Sequence, residues 1–340
     1  MKEQIKVAAV ASTDWHLKRE NVEEIIDLVN QQCELAVKLG ARTLFCLGDI
    51  FDSRKSQELV VLTAFKDILY IIESYNLKLV AIPGNHDKVN YSSDNSFIDS
   101  FLHHPAFEFY SDVYFRDDYG FPAAFVPFWE ESILEEKLKQ VPDGYTVFSH
   151  FGTNASVNND GRKHESLLTI SSLKRFKMVY LGHFHNTHAP SKNVLHIPSI
   201  KQNNYGEDNK KGFTVILEDG SSYFQKSKFK EYRIYTFDID KNSKKEIDGF
   251  VAEYANSEDN IRLEITGSQS KLKSLKREMF TNNGIDLKTK AKEVTEAIES
   301  VITDEVVEFS AEKIKEKFKT FCEEKEYNHE EGKYYIDQKI

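Results

Sequence analysis

Apolar residues in the first 200 positions fall into short runs that alternate with stretches of helical spacing. The short runs predict buried β-strands over residues 5–13, 43–47, 77–82, 123–127, 145–149 and 177–181. Between the first two runs, Asn21 and Glu24 form a capping-box pattern that predicts the start of a helix, and Gly40 predicts its end. A second helix is predicted to open at Ser56 and to continue through apolar residues at helical spacing, namely Leu59, Leu62, Phe65, Ile68 and Ile72. Strands that alternate with helices indicate a layered α/β fold with a largely buried sheet.

The pattern changes beyond residue 205. Residues 212–217 and 232–239 alternate like strands that close the main domain, and residues 240–248 have the composition of a charged linker. Residues 261–265, 272–280 and 285–288 then predict a small α+β unit. We place the division near residue 230, with a main domain over 1–230, the small unit over 231–300 and a helical segment over 301–340.

The C-terminal segment predicts a helix that begins at Ser310. Its apolar residues Ile314, Phe318 and Phe321 follow helical spacing among lysines and glutamates. An apolar stripe this narrow suits docking on a helix of a partner. Packing against its own domain explains the stripe nearly as well.

Composition argues against several classes of protein, namely strongly basic nucleic-acid binders, membrane or secreted proteins, and proteins built on disulfides or thiolate zinc sites. A net charge of −10 over 340 residues argues against a protein that holds nucleic acid through its overall field, although local contacts stay open. Every apolar run is shorter than the roughly 18 residues of a membrane span, and the N-terminus lacks a signal-peptide pattern. We therefore expect a cytoplasmic protein without a membrane partner. Cys33, Cys46 and Cys322 are far apart, which favours neither disulfides nor a thiolate zinc site.

Residues with metal-binding side chains follow the predicted strands. In the segment LGHFHNTH, His183 and His185 are two residues apart, so both rings point to one side of an extended chain, whereas His188 is out of phase. Gly182 allows the backbone to approach closely. Four other strands end in comparable residues, namely Asp14-Trp15-His16, Gly48-Asp49, Gly84-Asn85-His86-Asp87 and Ser149-His150. Ligands lie beyond the carboxyl ends of strands in open α/β sheets, and clustered carboxylates and imidazoles need a compensating cation, so the pattern predicts one or two metal ions.

The order of these motifs resembles that of the calcineurin-like metallophosphoesterases. The matching motifs are D-x-H at Asp14 and His16, GD at Asp49, GNHD at residues 84–87, the isolated His150, and GHxH at His183 and His185. More narrowly, DWHL, GDIFD, IPGNHD, VPF and GHFH are similar to SbcD-type DNA nuclease subunits, including the small recombination exonuclease subunits of large tailed bacteriophages. The resemblance covers residues 5–205. It implies a metallophosphoesterase β-sandwich flanked by helices in four layers (αββα), with a small α+β capping domain and a C-terminal helical segment.

The resemblance also implies a role for each site residue. Metal A would be held by Asp14, His16 and His185, metal B by Asn85, His150 and His183, and both by the bridging Asp49. His86 would be the catalytic histidine that is not a ligand, and Asp87 would orient a neighbouring group. A structural turn histidine is the alternative for His86. Oxygen and imidazole ligands without thiolate suit Mn²⁺, here two ions per chain, with Mg²⁺ as a possible substitute and Fe²⁺ and Zn²⁺ as competitors.

Two positions depart from the relatives. Archaeal and eukaryotic relatives carry a histidine three residues after the bridging aspartate, whereas this chain has Asp52, as SbcD-type members do. Arg54 could handle phosphate instead, or could be a solvated loop charge. Ser149 replaces a glycine and should be tolerated. In the small unit, a basic run could contact DNA, although such runs are more often solvated: Lys271, Lys273, Lys276 and Arg277.

The resemblance implies a manganese-dependent DNA nuclease subunit that acts with an SbcC-type coiled-coil ATPase. The resemblance implies a homodimer within a heterotetramer, located in the cytoplasm of the host cell if the chain comes from a phage. The helix predicted from Ser56 and four nearby apolar residues are the candidate dimer surface, although they could equally be core: Phe97, Ile98, Phe101 and Leu102.

Two alternatives stay open. One is a metallophosphatase of the same superfamily that acts on a small phosphoester or a phosphoprotein. Such enzymes often show GDxxDRG and GNHE, against GDIFDSR and GNHD here. The other is a non-enzymatic scaffold for DNA ends, and the complete ligand set argues against it.

Overall fold

The computed structural model describes residues 5–158, 161–292, 318 and 319. Its strands are β1 (Val7–Ser12), β2 (Thr43–Cys46), β3 (Lys78–Ala81), β4 (Phe107–Phe109), β5 (Tyr114–Arg116), β6 (Ala123–Val126), β7 (Thr146–Ser149), β8 (Met178–Leu181), β9 (His188–Ser191), β10 (Val194–His196), β11 (Gly212–Leu217), β12 (Ser222–Lys226), β13 (Tyr232–Asp238), β14 (Asn260–Gly267) and β15 (Ile285–Ala291). Its α-helices are α1 (Val22–Leu39), α2 (Leu59–Ser74), α3 (Glu131–Lys139), α4 (Ile170–Leu173), α5 (Lys244–Tyr254), α6 (Gln269–Lys273) and α7 (Glu278–Thr281). Within these described residues, no helix is both long and apolar enough to cross a membrane.

Two six-stranded sheets form the main domain. The first has the order β12-β11-β1-β2-β3-β4, and the second has the order β5-β6-β7-β8-β10-β9. β1 to β4 run parallel to one another, as do β6, β7, β8 and β10, while the remaining strands of both sheets join antiparallel. The carboxyl ends of β1, β2 and β3 therefore lie along one edge of the first sheet, and those of β7 and β8 along one edge of the second.

The core of the main domain consists of three clusters of buried apolar residues, one between the two sheets and one on the outer face of each sheet. On one face of the first sheet, Val10 clusters with residues of α1 and α2. Between the sheets, the rings of Phe45 and Phe148 lie 4.9 Å apart. On the outer face of the second sheet, Val147 clusters with Leu134 of α3. Because neighbouring strand residues point to opposite faces, both sheets are covered on both sides. This arrangement confirms the predicted four-layer αββα sandwich.

The helix ends differ in part from the prediction. α1 ends at Gly40, whose φ of 76° is left-handed as predicted. Asn21 precedes α1, but its side chain accepts from Lys18 N and donates to the carbonyl of His16, so the capping box with Glu24 does not form. α2 begins three residues after Ser56.

The apolar stripe of α2 is divided between core and surface. Phe65, Ile68 and the nearby Ile98 are fully buried, whereas Leu59 is 79% exposed and Leu102 is 46% exposed. Burial excludes the first three side chains from a dimer surface in this conformation, and the two exposed side chains remain candidates for one. Self-association itself stays a prediction.

The small α+β unit is a three-stranded sheet in the order β13-β14-β15, packed against α5. Residues 232–239 were predicted to close the main domain, and this prediction is wrong, because β13 pairs in parallel with β14 while β12 takes the sheet edge beside β11. The charged linker predicted over 240–248 is also wrong. α5 starts inside it, where Ser243 and Glu246 form a capping box.

The helix predicted over 272–280 differs from the structure, and one residue of the overlapping basic run forms an ion pair. Residues 272–280 form two short helices in place of one, and Lys271 of the predicted basic run pairs with Asp240 at 3.5 Å. Apart from residues 318 and 319, the helix predicted from Ser310 lies outside the described residues, as does Cys322. The three-part division of the chain stays a prediction.

Candidate metal centre and active site

The predicted site residues meet where strands of the two sheets end. Asp14 and His16 follow β1, Asp49 follows β2, and Asn85 and His86 follow β3, while His150, His183 and His185 follow β7 and β8. The loops after β1 and β2 are joined by backbone hydrogen bonds, with Asp14 N donating to Gly48 O at 3.0 Å and His16 N donating to Asp49 O at 3.0 Å. The two sheets thus bring together residues that are up to 171 positions apart in sequence.

Four of these residues have a left-handed backbone. The φ angles are 53° at Asp14, 46° at His16, 53° at Asp49 and 84° at His183. Left-handed conformations are costly for residues other than glycine, and they persist where the surrounding structure enforces them, often at functional sites. At Gly84 a side chain is excluded, because a Cβ atom would lie 2.2 Å from Asp49 Oδ1. The backbone is therefore shaped to bring these side chains close together.

Cluster A consists of Asp14, His16 and His185, whose ligand atoms all lie within 4.8 Å of one another. The Nε2 atoms of His16 and His185 face each other at 3.1 Å. Asp14 Oδ1 lies 3.9 Å from His16 Nε2 and 3.7 Å from His185 Nε2. This oxygen is buried and has no hydrogen-bond partner among the described residues.

Cluster B consists of Asp49, Asn85, His150 and His183. Asn85 Oδ1 lies 3.2 Å from His150 Nε2 and 2.9 Å from His183 Nδ1. Asp49 Oδ2 lies 3.3 Å from His150 Nε2. Because His150 Nδ1 donates to the carbonyl of Leu47 at 2.6 Å, Nε2 is the ring nitrogen that faces the cluster, and it can bind a metal once it is deprotonated.

Asp49 connects the two clusters. Its Oδ2 lies 3.8 Å from His16 Nε2, in addition to the contact with His150, and its Oδ1 accepts from His86 N at 2.8 Å. The side chain is almost fully buried. One carboxylate oxygen therefore lies near histidines of both clusters, and the bridging of two metal ions stays a prediction.

The charges in the site are strongly coupled. Burial lowers the pKa of His150, but the Asp49 carboxylate outweighs burial and raises it to about 9. Burial would raise the pKa of Asp49, yet His150 and His16 hold it well below its usual range. His183 moves the other way, because burial and the charge of His150 lower its pKa to about 3. These shifts describe a protonated His150 paired with the Asp49 carboxylate, beside a neutral His183.

These residues fit divalent metal ions. The donors are carboxylates, imidazoles and one amide oxygen, with no thiolate, and their acceptor atoms point at one another across 3–4 Å. Facing lone pairs and a buried carboxylate oxygen without a hydrogen bond are unfavourable unless a cation lies between them. Oxygen and imidazole ligands of this kind are typical of Mn²⁺, Mg²⁺, Fe²⁺ and Zn²⁺ sites.

His86 lies at the rim of the site. Its Nδ1 donates to the carbonyl of Asp52 at 2.6 Å, and its Nε2 lies 3.1 Å from a guanidinium nitrogen of Arg54. Burial lowers its pKa and outweighs the nearby Asp49 carboxylate. His86 also offers an atom within 4.8 Å of His16 and Asp49, so its role as a residue that is not a ligand stays a prediction.

Three neighbours of the ligands are placed as follows. Asp87 accepts from the backbone nitrogens of Ile50, Phe51 and Gly84 at 2.9–3.2 Å, and thus joins the loops after β2 and β3. Asp52 Oδ1 lies 3.3 Å from His16 Nδ1. Trp15 is fully buried and donates to Ser12 Oγ.

The prediction that His183 and His185 point to one side of an extended chain is wrong. The predicted extended chain does not form, because the backbone turns at His183, and the two rings enter different clusters. His188 accepts from Val157 N and stacks on His196 outside the clusters.

Sequence reasoning missed two further residues at this loop. Glu207 and Lys211 are buried beside His185. They belong to no recognisable motif and follow no strand end. The only sequence feature that could have indicated them is that a glutamate and a lysine lie four residues apart in the segment after β10.

Comparisons with known proteins found a matching family and two similar proteins. The model of the family described as calcineurin-like phosphoesterase matches residues 9–187, which is more than half of the chain and includes every proposed ligand. Exonuclease subunit 1 of Enterobacteria phage T4 is 28% identical over 205 residues. That match covers 58% of this chain and 60% of the phage protein, so the chain matches less than two thirds of that relative.

A solved structure, the nuclease MPE of Pseudomonas putida, is also similar. The alignment covers 64% of this chain and 88% of that one, with 14% identity and a TM-score of 0.30. Such values are too low to bear on function.

Proposed function

This chain belongs to the calcineurin-like phosphoesterase family, and we propose that it is a metal-dependent nuclease that hydrolyses phosphodiester bonds of DNA. The observation that carries the proposal is the pair of ligand clusters joined by Asp49, whose Oδ2 faces His16 at 3.8 Å and His150 at 3.3 Å. A phosphodiester needs charge compensation at both the attacking and the leaving oxygen. Two adjacent cation sites suit that demand.

We assign the ligands as the family resemblance implies, with Mn²⁺ as the working metal and Mg²⁺ as a possible substitute. Cluster A and Asp49 would hold one ion, and cluster B, which includes Asp49, would hold the other. When bound, such ions neutralise phosphate charge and lower the pKa of water. The chain's own contribution is to fix the donors and to exclude competing hydrogen bonds, as the buried and unpaired Asp14 Oδ1 illustrates.

His86 is the proposed catalytic histidine. Its ring is held by the carbonyl of Asp52, so its Nε2 is directed to the rim of the site beside Arg54. Once Nε2 is protonated, the imidazole could stabilise negative charge on the transferred phosphoryl group or donate a proton to the leaving oxygen. Arg54 also donates to Tyr91 Oη at 2.5 Å and is the proposed phosphate contact.

A cavity beside cluster B supports a nucleotide-sized substrate. Its volume is about 350 Å³, and its lining includes Asn85 and His183 together with Arg54, Tyr91 and Phe128. This volume falls in the roughly 300–1,000 Å³ range of small-ligand sites. Aromatic rings beside a guanidinium suit stacking with a base and contact with a phosphate, whereas Glu130, Glu131 and Glu165 of the same lining disfavour a phosphate beside them.

The partner assignments rest on the resemblance. The phage relative is named an exonuclease subunit. From the family resemblance we propose that this chain acts on DNA with an SbcC-type coiled-coil ATPase, as a homodimer within a heterotetramer in the cytoplasm. The segment 301–340, with its apolar Ile314, Phe318 and Phe321, is the proposed attachment. A chain truncated at residue 300 should lose the ATPase in a pull-down while retaining Mn²⁺-dependent cleavage of short DNA.

One experiment tests the function. The metal-free full-length chain is reconstituted with Mn²⁺ and incubated with labelled single-stranded DNA, labelled duplex DNA and a generic phosphomonoester, with a chelator as the control. We expect DNA cleavage that the chelator abolishes. Hydrolysis of the monoester without any DNA cleavage would favour a phosphatase, and metal binding without either activity would favour a scaffold.

A further inference from the structure

A buried carboxylate and a buried ammonium lie in the segment between β10 and β11, outside every motif of the site. The side chains of Glu207 and Lys211 are both fully buried, and Lys211 Nζ lies 3.4 Å from Glu207 Oε2. Burying two charges is costly unless each is well supplied with hydrogen bonds. The hydrogen bonds of Glu207 and Lys211 show which residue this ion pair positions.

Both residues hold His185. Glu207 Oε1 lies 2.7 Å from His185 Nδ1, and because a carboxylate accepts, Nδ1 carries the proton. Nε2 is then the nitrogen with the lone pair, and it is the atom that faces cluster A, 3.1 Å from His16 Nε2. Lys211 Nζ donates to the carbonyl of His185 at 2.6 Å and to Asn186 Oδ1 at 2.7 Å. The ring and the main chain of His185 are therefore fixed by the same ion pair.

The Glu207 carboxylate is itself oriented. Oε2 accepts from Asn203 N at 3.1 Å, and Oε1 accepts from Asn204 Nδ2 at 2.8 Å. With His185 and Lys211, four groups surround one carboxylate. Its position is thus set by the turn over residues 203–207.

That turn is attached to the small α+β unit. The Arg262 guanidinium of β14 lies 3.8 Å from the centre of the Tyr205 ring, and Asp286 of β15 holds Arg262 at 2.6 Å. Gln202 Oε1 accepts from the backbone N of Tyr232 at 2.8 Å, and Gln202 Nε2 donates to Glu207 O at 2.9 Å. All three strands of the small unit therefore contribute to holding the turn that carries Glu207.

We propose that Glu207 is a positioning residue for His185, and that the small α+β unit sets the metal affinity of cluster A through the turn that carries Glu207. The inference rests on the proposed function in one respect, since it takes His185 as a metal ligand. Partners of metal-bound histidines orient the ring and fix its tautomer, and their removal costs about 10–100-fold in metal affinity. The small unit thereby acts on the metal site without supplying a ligand.

The first test changes the carboxylate. Mn²⁺ binding to the metal-free full-length chain is measured by isothermal titration calorimetry for wild type and Glu207→Gln. We expect one of the two sites to weaken by about 10–100-fold and the other to keep its affinity. Electron paramagnetic resonance at two equivalents of Mn²⁺ should show isolated ions in place of a spin-coupled pair.

The matched control is Glu108→Gln. Glu108 is a partly buried carboxylate that is also paired with a lysine, Lys78, at 3.1 Å, but it contacts no proposed ligand. It should leave both Mn²⁺ affinities unchanged. Wild-type Mn²⁺ affinity at both sites in Glu207→Gln would overturn the positioning role.

The second test changes the small unit alone and does not depend on the stability of Glu207→Gln. Arg262→Ala should weaken the same Mn²⁺ site by about two- to fivefold, the size of a partly exposed cation–π contact. Arg233→Ala is the control, since Arg233 of β13 pairs with Glu231 and Asp259. Unchanged Mn²⁺ binding in Arg262→Ala would overturn the coupling to the small unit.

Failure of the nuclease function can be told apart from failure of this inference. Each preparation is also assayed on DNA and on a phosphomonoester. If the wild type binds two Mn²⁺ ions but cleaves only the monoester, the nuclease proposal fails while the Mn²⁺ titrations still decide the role of Glu207. Thermal unfolding of each metal-free variant shows whether it is folded.

Discussion

The two ligand clusters differ in what anchors their histidines. In cluster B, His150 is fully buried and its Nδ1 donates to the backbone carbonyl of Leu47. In cluster A, both histidines contact side chains: His185 contacts Glu207 at 2.7 Å and His16 contacts Asp52 at 3.3 Å. A backbone anchor is present whenever the fold is present. A side-chain anchor can be removed by one substitution.

This difference separates a site set by the fold from one that can be adjusted. The strand β2, which ends just before Leu47, lies in the middle of the first sheet, so the His150 ring of cluster B should be in place whenever the sandwich folds. Cluster A depends on a carboxylate from the segment after β10 and on a loop carboxylate that is 40% exposed. We expect substitutions around cluster A to change metal affinity in graded steps.

The largest expected effect comes from the residue that the clusters share. Asp49→Ala removes the oxygen that faces both His16 and His150, so both tight Mn²⁺ sites and all Mn²⁺-dependent cleavage should be lost. Calorimetry and the DNA assay check this expectation, with the exposed Asp219→Ala as a matched control. Full cleavage by Asp49→Ala would sink the bridging assignment.

The next effect separates catalysis from metal binding. His86→Ala should lower turnover by roughly 10²-fold or more, the scale of acid–base catalysis, with two Mn²⁺ ions still bound. Single-turnover cleavage and metal content are measured on the same preparation. Loss of metal would make His86 a ligand, and unchanged turnover would make it structural.

The sequence correctly predicted the strands that lead into the site and their polar ends, because there the local pattern of apolar and polar residues matches the folded structure. The apolar strands end abruptly in polar residues, so the tips that carry Asp14, Asp49 and His150 were located without a structure. α5 was missed because charged residues surround its buried Ile247 and Phe250, which made the segment look like a linker. Helical spacing in so short a stretch is easily masked by charge.

The supporting residues were harder to predict than the ligands. Glu207 lies in an irregular turn, and its relation to His185 depends on how that turn folds over the loop after β8. The left-handed backbone of His183 is likewise imposed by tertiary contacts, and sequence spacing led instead to an extended chain. Periodicity locates elements, but it does not fix the course of loops.

The Mn²⁺ affinity of cluster B should depend on pH through His150, which gives a second way to compare the two clusters. The pKa of His150 is raised to about 9, so at pH 7 this imidazole must release a proton before it can bind a metal. Mn²⁺ affinity at cluster B should therefore rise by about tenfold per pH unit between roughly pH 6.5 and 8.5. Calorimetry in two buffers of different ionisation enthalpy measures the proton released, and heats that do not depend on the buffer would contradict this.

The same shift has a consequence for the metal-free protein. Because the folded-state pKa lies above the ordinary value of 6.5, the ion pair with Asp49 stabilises the fold fully below pH 6.5. That contribution is lost as the pH rises through about 9. The Tm of metal-free wild type should fall over this range more than that of metal-free His150→Asn.

The smallest effect is expected at the exposed anchor of cluster A. Asp52 Oδ1 lies 3.3 Å from His16 Nδ1, but the Asp52 side chain is 40% exposed, so water can take its place and solvent screens its charge. Asp52→Asn should therefore weaken one Mn²⁺ site by no more than about tenfold, the lower end of the range for such partners. Lys18→Gln, which removes the lysine 3.7 Å from Asp52, is the control and should change Mn²⁺ affinity less. If Asp52→Asn weakens Mn²⁺ binding more than Glu207→Gln does, then burial of the anchor does not set its importance, and the contrast between the two clusters must have another cause.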